Sequence, residues 1–330
     1  MDYSGAVTVE YTASGSKPWR IPHEARALFV PDAVNGKAEV TAGVRIAFQS
    51  SCVTASLELQ PMDQDERKLD CVINGRFHST VLLKADESWC SFEGLPEGEK
   101  QLEVYLPQTH PAVVVSLQLN DHASYRPFED TRPKWICYGS SITQCEAASS
   151  PSRTWPALAA QYGGWHHTNL GFSANCHLEP MMARMIRDLP ADLISLCAGV
   201  NIMGGSSLSE RTFMPALIGF IQIIREKHVN TPITVQSPIY AEEREIQLNK
   251  VGLNLQMMRE QIKQAVDILH GQGDSQLFYI DGLTIFGERD ACHMPDQLHP
   301  DAEGYGIMAE RVISQLEKLN VTPKRARHPL

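Results

Sequence analysis

The chain has 330 residues, 43% of them hydrophobic, and its 29 basic against 39 acidic side chains give a formal charge of −10. That sign is wrong for a protein that neutralises phosphates or anionic lipid, and the apolar fraction is that of a globular protein, so nucleic acid, membrane and extended disorder are set aside. The opening MDYSGAVTVEYTASGSKPWR has no basic segment leading into an apolar run, and the longest apolar stretch, FMPALIGFIQII, is too short and interrupted to span a bilayer, which points to a soluble, cytoplasmic protein.

Up to about residue 120 the apolar residues alternate. In AEVTAGVRIAF they fall at Val40, Ala42, Val44, Ile46 and Phe48, the period of a strand with one buried face. VTASLELQ and QLEVYLPQ repeat the pattern, and Asn74-Gly75 between two such runs is a hairpin signal because both residues reach positive φ easily. No segment here keeps a helical period over three turns. Residues 1–130 are therefore expected to form an all-β sandwich with a linker, the polar, proline-bearing NDHASYRPFEDTRPK.

From Trp135 the texture changes to short apolar runs alternating with longer helical patterns. KWICYG, HHTNLGF, ADLISLCAG, PITVQSPIY and QLFYIDG read as strands, with TWPALAAQY, LEPMMARMIRDL, RTFMPALIGFIQIIREKH, NLQMMREQIKQAVDILH and DAEGYGIMAERVISQLEKL as helices. Five βα repeats predict a parallel sheet with helices on both faces over residues 131–330. The tail PKRARHPL is expected to fray.

The eight cysteines are scattered, with no Cys-x-x-Cys pair, and read as reduced, buried thiols. His166-His167 and His293 lack a second ligand at metal-binding spacing, so no metal is expected.

In an open α/β sheet the ligand crevice lies beyond the carboxyl ends of the strands. There the sequence is polar: Gly139-Ser140-Ser141 after the first strand, Gly171-Phe172-Ser173-Ala174-Asn175 after the second, Gly199-Val200-Asn201 after the third, and DQLHP before the last helix. A serine hydroxyl becomes nucleophilic when a neutral imidazole takes its proton, and the imidazole needs a carboxylate to fix its tautomer. Ser141, His299 and Asp296 are the catalytic candidates. The N–H groups of Ser141 and Gly171 and the side-chain amide of Asn201 are the candidate oxyanion donors. The loops IMGGSSLSE and PIYAEEREIQ are expected to flank an open, polar mouth.

The ordered series YGSSIT, NLGFSAN, CAGVNI and DQLHP resembles the four sequence blocks of the SGNH hydrolases, or GDSL esterases and lipases, over about residues 134–318. The resemblance implies a flavodoxin-like, three-layer α/β/α domain in which Ser141, Gly171, Asn201 and His299 are the signature residues and Asp296 completes a triad. Two positions depart from the pattern: Ser140 stands where the first block usually has Asp, and Ile202 replaces the second Asp of the third block. With a β-rich first half, the chain resembles the two-domain esterases that carry a jelly-roll-like domain ahead of the catalytic one. That implies hydrolysis of a short acyl ester, acetyl above all, of a sugar or similar small metabolite, without cofactor. Transfer of the acyl group to another acceptor uses the same intermediate and stays open, as do a carbohydrate-binding or assembly protein with a disabled hydrolase domain and a homo-oligomeric state.

Overall fold

In the computed structural model, which describes residues 1–63 and 66–323, the alternating segments of the first third pair into two antiparallel sheets. One has the order Tyr3–Ser4, Arg45–Ser50, Lys100–Tyr105, Arg67–Ile73, Arg76–Leu83, with Arg126–Pro127 added beside Arg45–Ser50. The other runs Thr8–Thr12, Gly15–Trp19, Val114–Leu119, Ala55–Leu59, Trp89–Phe92. Their inner faces enclose a core that includes Val44, Ile46, Phe48, Leu57, Leu69, Leu102 and Val104. Asn74 and Gly75 form the expected turn, at φ 50° and 75°.

The structure differs from the sequence reading in three places. The run from Val40 to Phe48 is buried at all five apolar positions, but its strand starts only at Arg45. The chain turns first at Gly43, with φ 77°, where a Cβ would come within 2.7 Å of the Asn169 Cβ in the second half of the chain. Two short helical segments, His23–Leu28 and Asp32–Ala38, interrupt the β pattern and are too brief to show a period over three turns. The linker is not free, since Ser50 Oγ donates to Ser124 O at 2.6 Å and Arg126–Pro127 joins a sheet.

The second half contains five parallel strands: β1 (Lys134–Gly139), β2 (His166–Gly171), β3 (Leu193–Cys197), β4 (Ile233–Gln236) and β5 (Leu277–Ile280). Their order is β2-β1-β3-β4-β5, the flavodoxin-like arrangement. Helices Pro180–Asp188, Glu210–Arg225 and Leu255–Gly271 pack on one face through residues such as Met182, Leu217 and Ile262. Helices Trp155–Gly163 and Ala302–Lys318 cover the other through Trp155, Ala159, Met308 and Val312. Because β2 and β3 lie on opposite sides of β1, the chain leaves β1 and β3 in a crevice at the switch point, which places Ser141 and Asn201 at one sheet edge.

The two halves share a core. Trp19, Ile21, Phe29, Val34 and Ala38 from the first pack into the cluster that holds Ile136, Leu170 and Phe172 of the parallel sheet. Polar groups are buried across the same interface. Arg45 pairs with Glu103 at 2.7 Å and donates to His167 O at 3.1 Å. Asp70 accepts from Ser150 Oγ at 2.6 Å and from Ser152 N at 2.8 Å. A buried charge without such partners is strongly destabilising, so these bonds fix how the halves meet. Among the described residues no helix is long and apolar enough to cross a membrane. The basic tail, expected to fray, lies from residue 324 outside the described residues.

Candidate active site

At the end of β1, Gly139 is packed so closely that a Cβ would meet Thr143 Oγ1 at 2.1 Å. Ser140 then caps the short helix Ser141–Gln144, its Oγ accepting from Ile142 N at 3.2 Å, and Cys145 ends it at φ 62°. Ser140 is thereby a helix cap, and Ser141 occupies the first helical position with its own N–H free of any acceptor among the described residues.

Ser141 Oγ lies 2.8 Å from His299 Nε2, and His299 Nδ1 lies 2.6 Å from Asp296 Oδ2. The turn between them is tight. Gln297 takes φ 62°, which brings the N–H groups of Leu298 and His299 onto Asp296 Oδ1 at 3.0 and 2.7 Å. Burial works to raise the Asp296 carboxyl, but the bonds from the His299 ring and the two backbone N–H groups outweigh it and hold its pKa down at about 2. An ionised Asp296 keeps the imidazole proton on Nδ1, and the Nε2 lone pair faces the serine hydroxyl.

Gly171, expected among the oxyanion donors, is differently engaged. Its N–H donates to Asn169 Oδ1 at 2.8 Å, and a Cβ on it would meet Gln144 N at 2.2 Å, so this glycine lets β2 pack against the helix that starts at Ser141. The loop that follows offers another donor. Of four consecutive N–H groups, Ser173 donates to Gln144 Oε1 at 3.0 Å, Asn175 to Phe172 O at 2.9 Å and Cys176 to Asn201 Oδ1 at 3.1 Å. Only the Ala174 N–H has no acceptor among the described residues, and Ala174 holds the left-handed φ of 60°. His177 Nε2 is bonded to the Ala174 carbonyl at 2.9 Å and its Nδ1 to Ser207 Oγ at 2.6 Å, which holds the next peptide, Ala174–Asn175, and with it the turn. No sequence signal marks it, because a turn that needs positive φ is ordinarily sought at Gly or Asn.

Asn201 uses its Oδ1 to hold Cys176 N, which leaves both Nδ2 protons without an acceptor among the described residues. Ile202, in the place of a usual Asp, is fully buried in the core. Burial holds Cys137, Cys145 and Cys176 well above the ordinary thiol range and pushes Cys197 up to about 12. Only Cys292 is exposed. Among the described residues no three His, Cys, Asp or Glu side chains gather as a metal site. His166 pairs with Asp130 at 2.7 Å, and His167 stacks on Tyr105 where the two halves meet.

A void of about 20 Å³ lies behind Ser140, lined by Ile142, Trp155, Val200, Ser237 and Met308 among others, and has room for one water. A larger groove of about 650 Å³ runs past Tyr240, Glu242, Ile246, Gln256, Leu283 and Glu288. This segment after β4 leans on the helix carrying Asn201 through Asn249 Nδ2 to Met203 O at 2.9 Å. It is less polar than its sequence suggested, since Ile246 and Leu248 are 73% and 58% exposed.

A model of the GDSL-like lipase/acylhydrolase family matches residues 133–317. The chain belongs to this family. A second model, the N-terminal domain of SsfX3, matches residues 1–115. The salicylyl-acyltransferase SsfX3 of a tetracycline biosynthetic pathway is similar to this GDSL-family chain at 34% identity and TM-score 0.90, over 98% of this chain and 95% of that one. A putative GDSL-like lipase from Bacteroides ovatus is similar at 22% identity and TM-score 0.81, over 99% and 97%. A family two carbohydrate esterase from Clostridium thermocellum, solved with cellohexaose, shares the fold at 14% identity and TM-score 0.65, over 85% and 94%. No curated protein matches the chain.

Proposed function

We propose that this GDSL-family protein is a serine acyl-transfer enzyme that forms an acyl-enzyme on Ser141 and discharges it to the hydroxyl of a small organic acceptor. The observation that carries this reading is the continuous chain from Ser141 Oγ through His299 to Asp296, at 2.8 and 2.6 Å. Ser141 Oγ attacks the ester carbonyl while Nε2 of His299 takes its proton, and Asp296 stabilises the imidazolium. The carbonyl oxygen becomes an oxyanion, received by the N–H groups of Ser141 and Ala174 and by Asn201 Nδ2. Collapse breaks the bond to the leaving alcohol, which departs with the proton from His299. The acceptor hydroxyl then repeats the sequence in reverse, giving its proton to His299 and freeing Ser141.

Two observations favour an organic acceptor over water. The likeness to the salicylyl-acyltransferase SsfX3 extends over nearly the whole chain, and the groove past Tyr240 and Ile246, in the segment after β4, offers surface that a ring-bearing acceptor would cover. Hydrolysis of a short-chain ester, including an acetylated sugar, is the second reading. Glu242, Gln256 and Glu288 in the same groove favour it, since such side chains bond sugar hydroxyls.

Partitioning separates the readings. With p-nitrophenyl acetate and a series of added alcohols and phenols, the acyl-transfer reading expects acetylated acceptor to exceed acetate at millimolar acceptor. Acetate as sole product across the series supports hydrolysis. Equal turnover by Ser141→Ala would defeat both.

A further inference from the structure

A fully buried cation without a carboxylate partner among the described residues lies where the two halves meet. Arg20, at the end of strand Gly15–Trp19, is 0% exposed, and every group that accepts from its guanidinium is a main-chain carbonyl. On the sandwich side these are Val40 O and Lys37 O, each at 2.6 Å. On the catalytic side they are Asn169 O at 3.2 Å and Gly171 O at 2.5 Å, and the guanidinium lies 4.8 Å from the centre of the Phe172 ring. Burial pushes its pKa down to about 9, which still leaves it charged at neutral pH. An ammonium in the same place would lack the planar fork that reaches acceptors on both sides.

The two catalytic-side carbonyls end β2, and the free Ala174 N–H lies three residues beyond Gly171. Two other anchors between the halves, Arg45 on His167 O near the start of β2 and Asp70 on Ser150 and Ser152, act elsewhere, while Gln108 reaches the same loop only at one remove, its carbonyl accepting from Gln144 Nε2 at 3.5 Å as Gln144 Oε1 holds Ser173 N. Arg20 alone among these grips the root of the loop that presents Ala174 and, through Cys176 N, Asn201.

Resting on the acyl-transfer reading, we propose that Arg20 is a positioning residue supplied by the N-terminal sandwich, which holds the Phe172–Cys176 loop so that its Ala174 N–H meets the oxyanion. The accessory domain then contributes to catalysis without touching substrate. Without Arg20 the Asn169 and Gly171 carbonyls and the Phe172 ring lose their shared anchor. A misplacement of about 1 Å at a reacting centre costs on the order of 10² in rate.

The test compares wild type, Arg20→Met and Arg20→Lys in the full chain, using p-nitrophenyl acetate turnover, thermal unfolding and inhibition by phenylboronic acid, whose tetrahedral adduct mimics the oxyanion. Folded Arg20→Met should lose about 10- to 100-fold in kcat and bind phenylboronate weaker by a similar factor, with KM within about threefold and the pH profile unmoved. A residue that only docks the domains would lower Tm and leave kcat of the folded protein intact, which overturns the proposal. Should Arg20→Met not fold, Arg20→Lys decides: it should fold with kcat down about tenfold, and wild-type kcat, or failure of both variants to fold, refutes the positioning role. Absence of Ser141-dependent turnover in wild type would instead refute the acyl-enzyme reading.

Discussion

Replacing Asn201 by alanine removes two bonds of different kinds, and the structure separates their effects. Nδ2 is free to donate, whereas Oδ1 holds Cys176 N at 3.1 Å. Loss of one oxyanion donor lowers kcat by about 10²–10³. Loss of the bond to Cys176 costs stability of about 1 kcal/mol, which lowers Tm by about 1–2 °C in a chain of this length. Asn201→Asp keeps the acceptor for Cys176 and puts a negative oxygen where the amide donor stood. Like charges about 4 Å apart repel by about 4 kcal/mol at an effective dielectric constant of about 20, a further factor of up to about 10³ in rate. The expected order of kcat is therefore wild type, Asn201→Ala, Asn201→Asp, while the order of stability puts Asn201→Asp nearer to wild type. Steady-state turnover of p-nitrophenyl acetate with parallel calorimetry reads both. An Asn201→Ala variant within threefold of wild-type kcat, or an aspartate variant faster than alanine, would remove Asn201 from the oxyanion site.

Asp296→Asn should lower kcat by up to about 10⁴, because the amide favours the wrong imidazole tautomer, and His299→Ala at least as much; activity within threefold in Asp296→Asn would mean that another group orients the ring. Stability should fall on acidification in two stages, followed by fluorescence of the buried tryptophans. His167 is kept neutral by burial and by nearby Arg45, its pKa well below the usual value, so the unfolded chain binds the extra proton and stability drops as pH falls below about 6.5. Asp130 is held well below the carboxylate range despite burial, by Arg132 and His166, and its contribution is complete above about pH 4 and lost below it. A stability curve flat between pH 7 and 5 would contradict the first stage. Residues 131–330 expressed alone should be poorly soluble and weakly active, since they expose the surface that Trp19, Ile21 and Phe29 cover; full activity in that fragment would contradict it.

The second half was legible because four of its five strands are short, mostly apolar runs bounded by Gly, Pro or Asp, a local signal independent of the rest of the chain, while β2, HHTNLG, is polar and showed only through its place in the alternation of strands and helices. That Ser141, His299 and Asp296 come together was legible for a related reason: the proposed chemistry needs those residue types, and the Asp-x-x-His spacing fits one turn. What escaped was set by packing between distant segments. Helices His23–Leu28 and Asp32–Ala38 are too short to carry a period, and Arg20 looks like any surface arginine until β2 closes over it. Gly171 misled because a glycine after a strand suggests a turn, whereas this one is still in β2, and the turn falls on Ala174, a residue type that rarely adopts that φ.

The central claim is a covalent acyl group on Ser141. The enzyme should be mixed with p-nitrophenyl acetate, quenched in acid within the first turnover, digested and sequenced by mass spectrometry. One acetyl group on Ser141, formed with a burst of p-nitrophenol and discharged when an acceptor alcohol is added before the quench, is the result expected. Acetyl on Ser140 or Cys145, or turnover that persists in Ser141→Ala with no acylated peptide, would contradict the account.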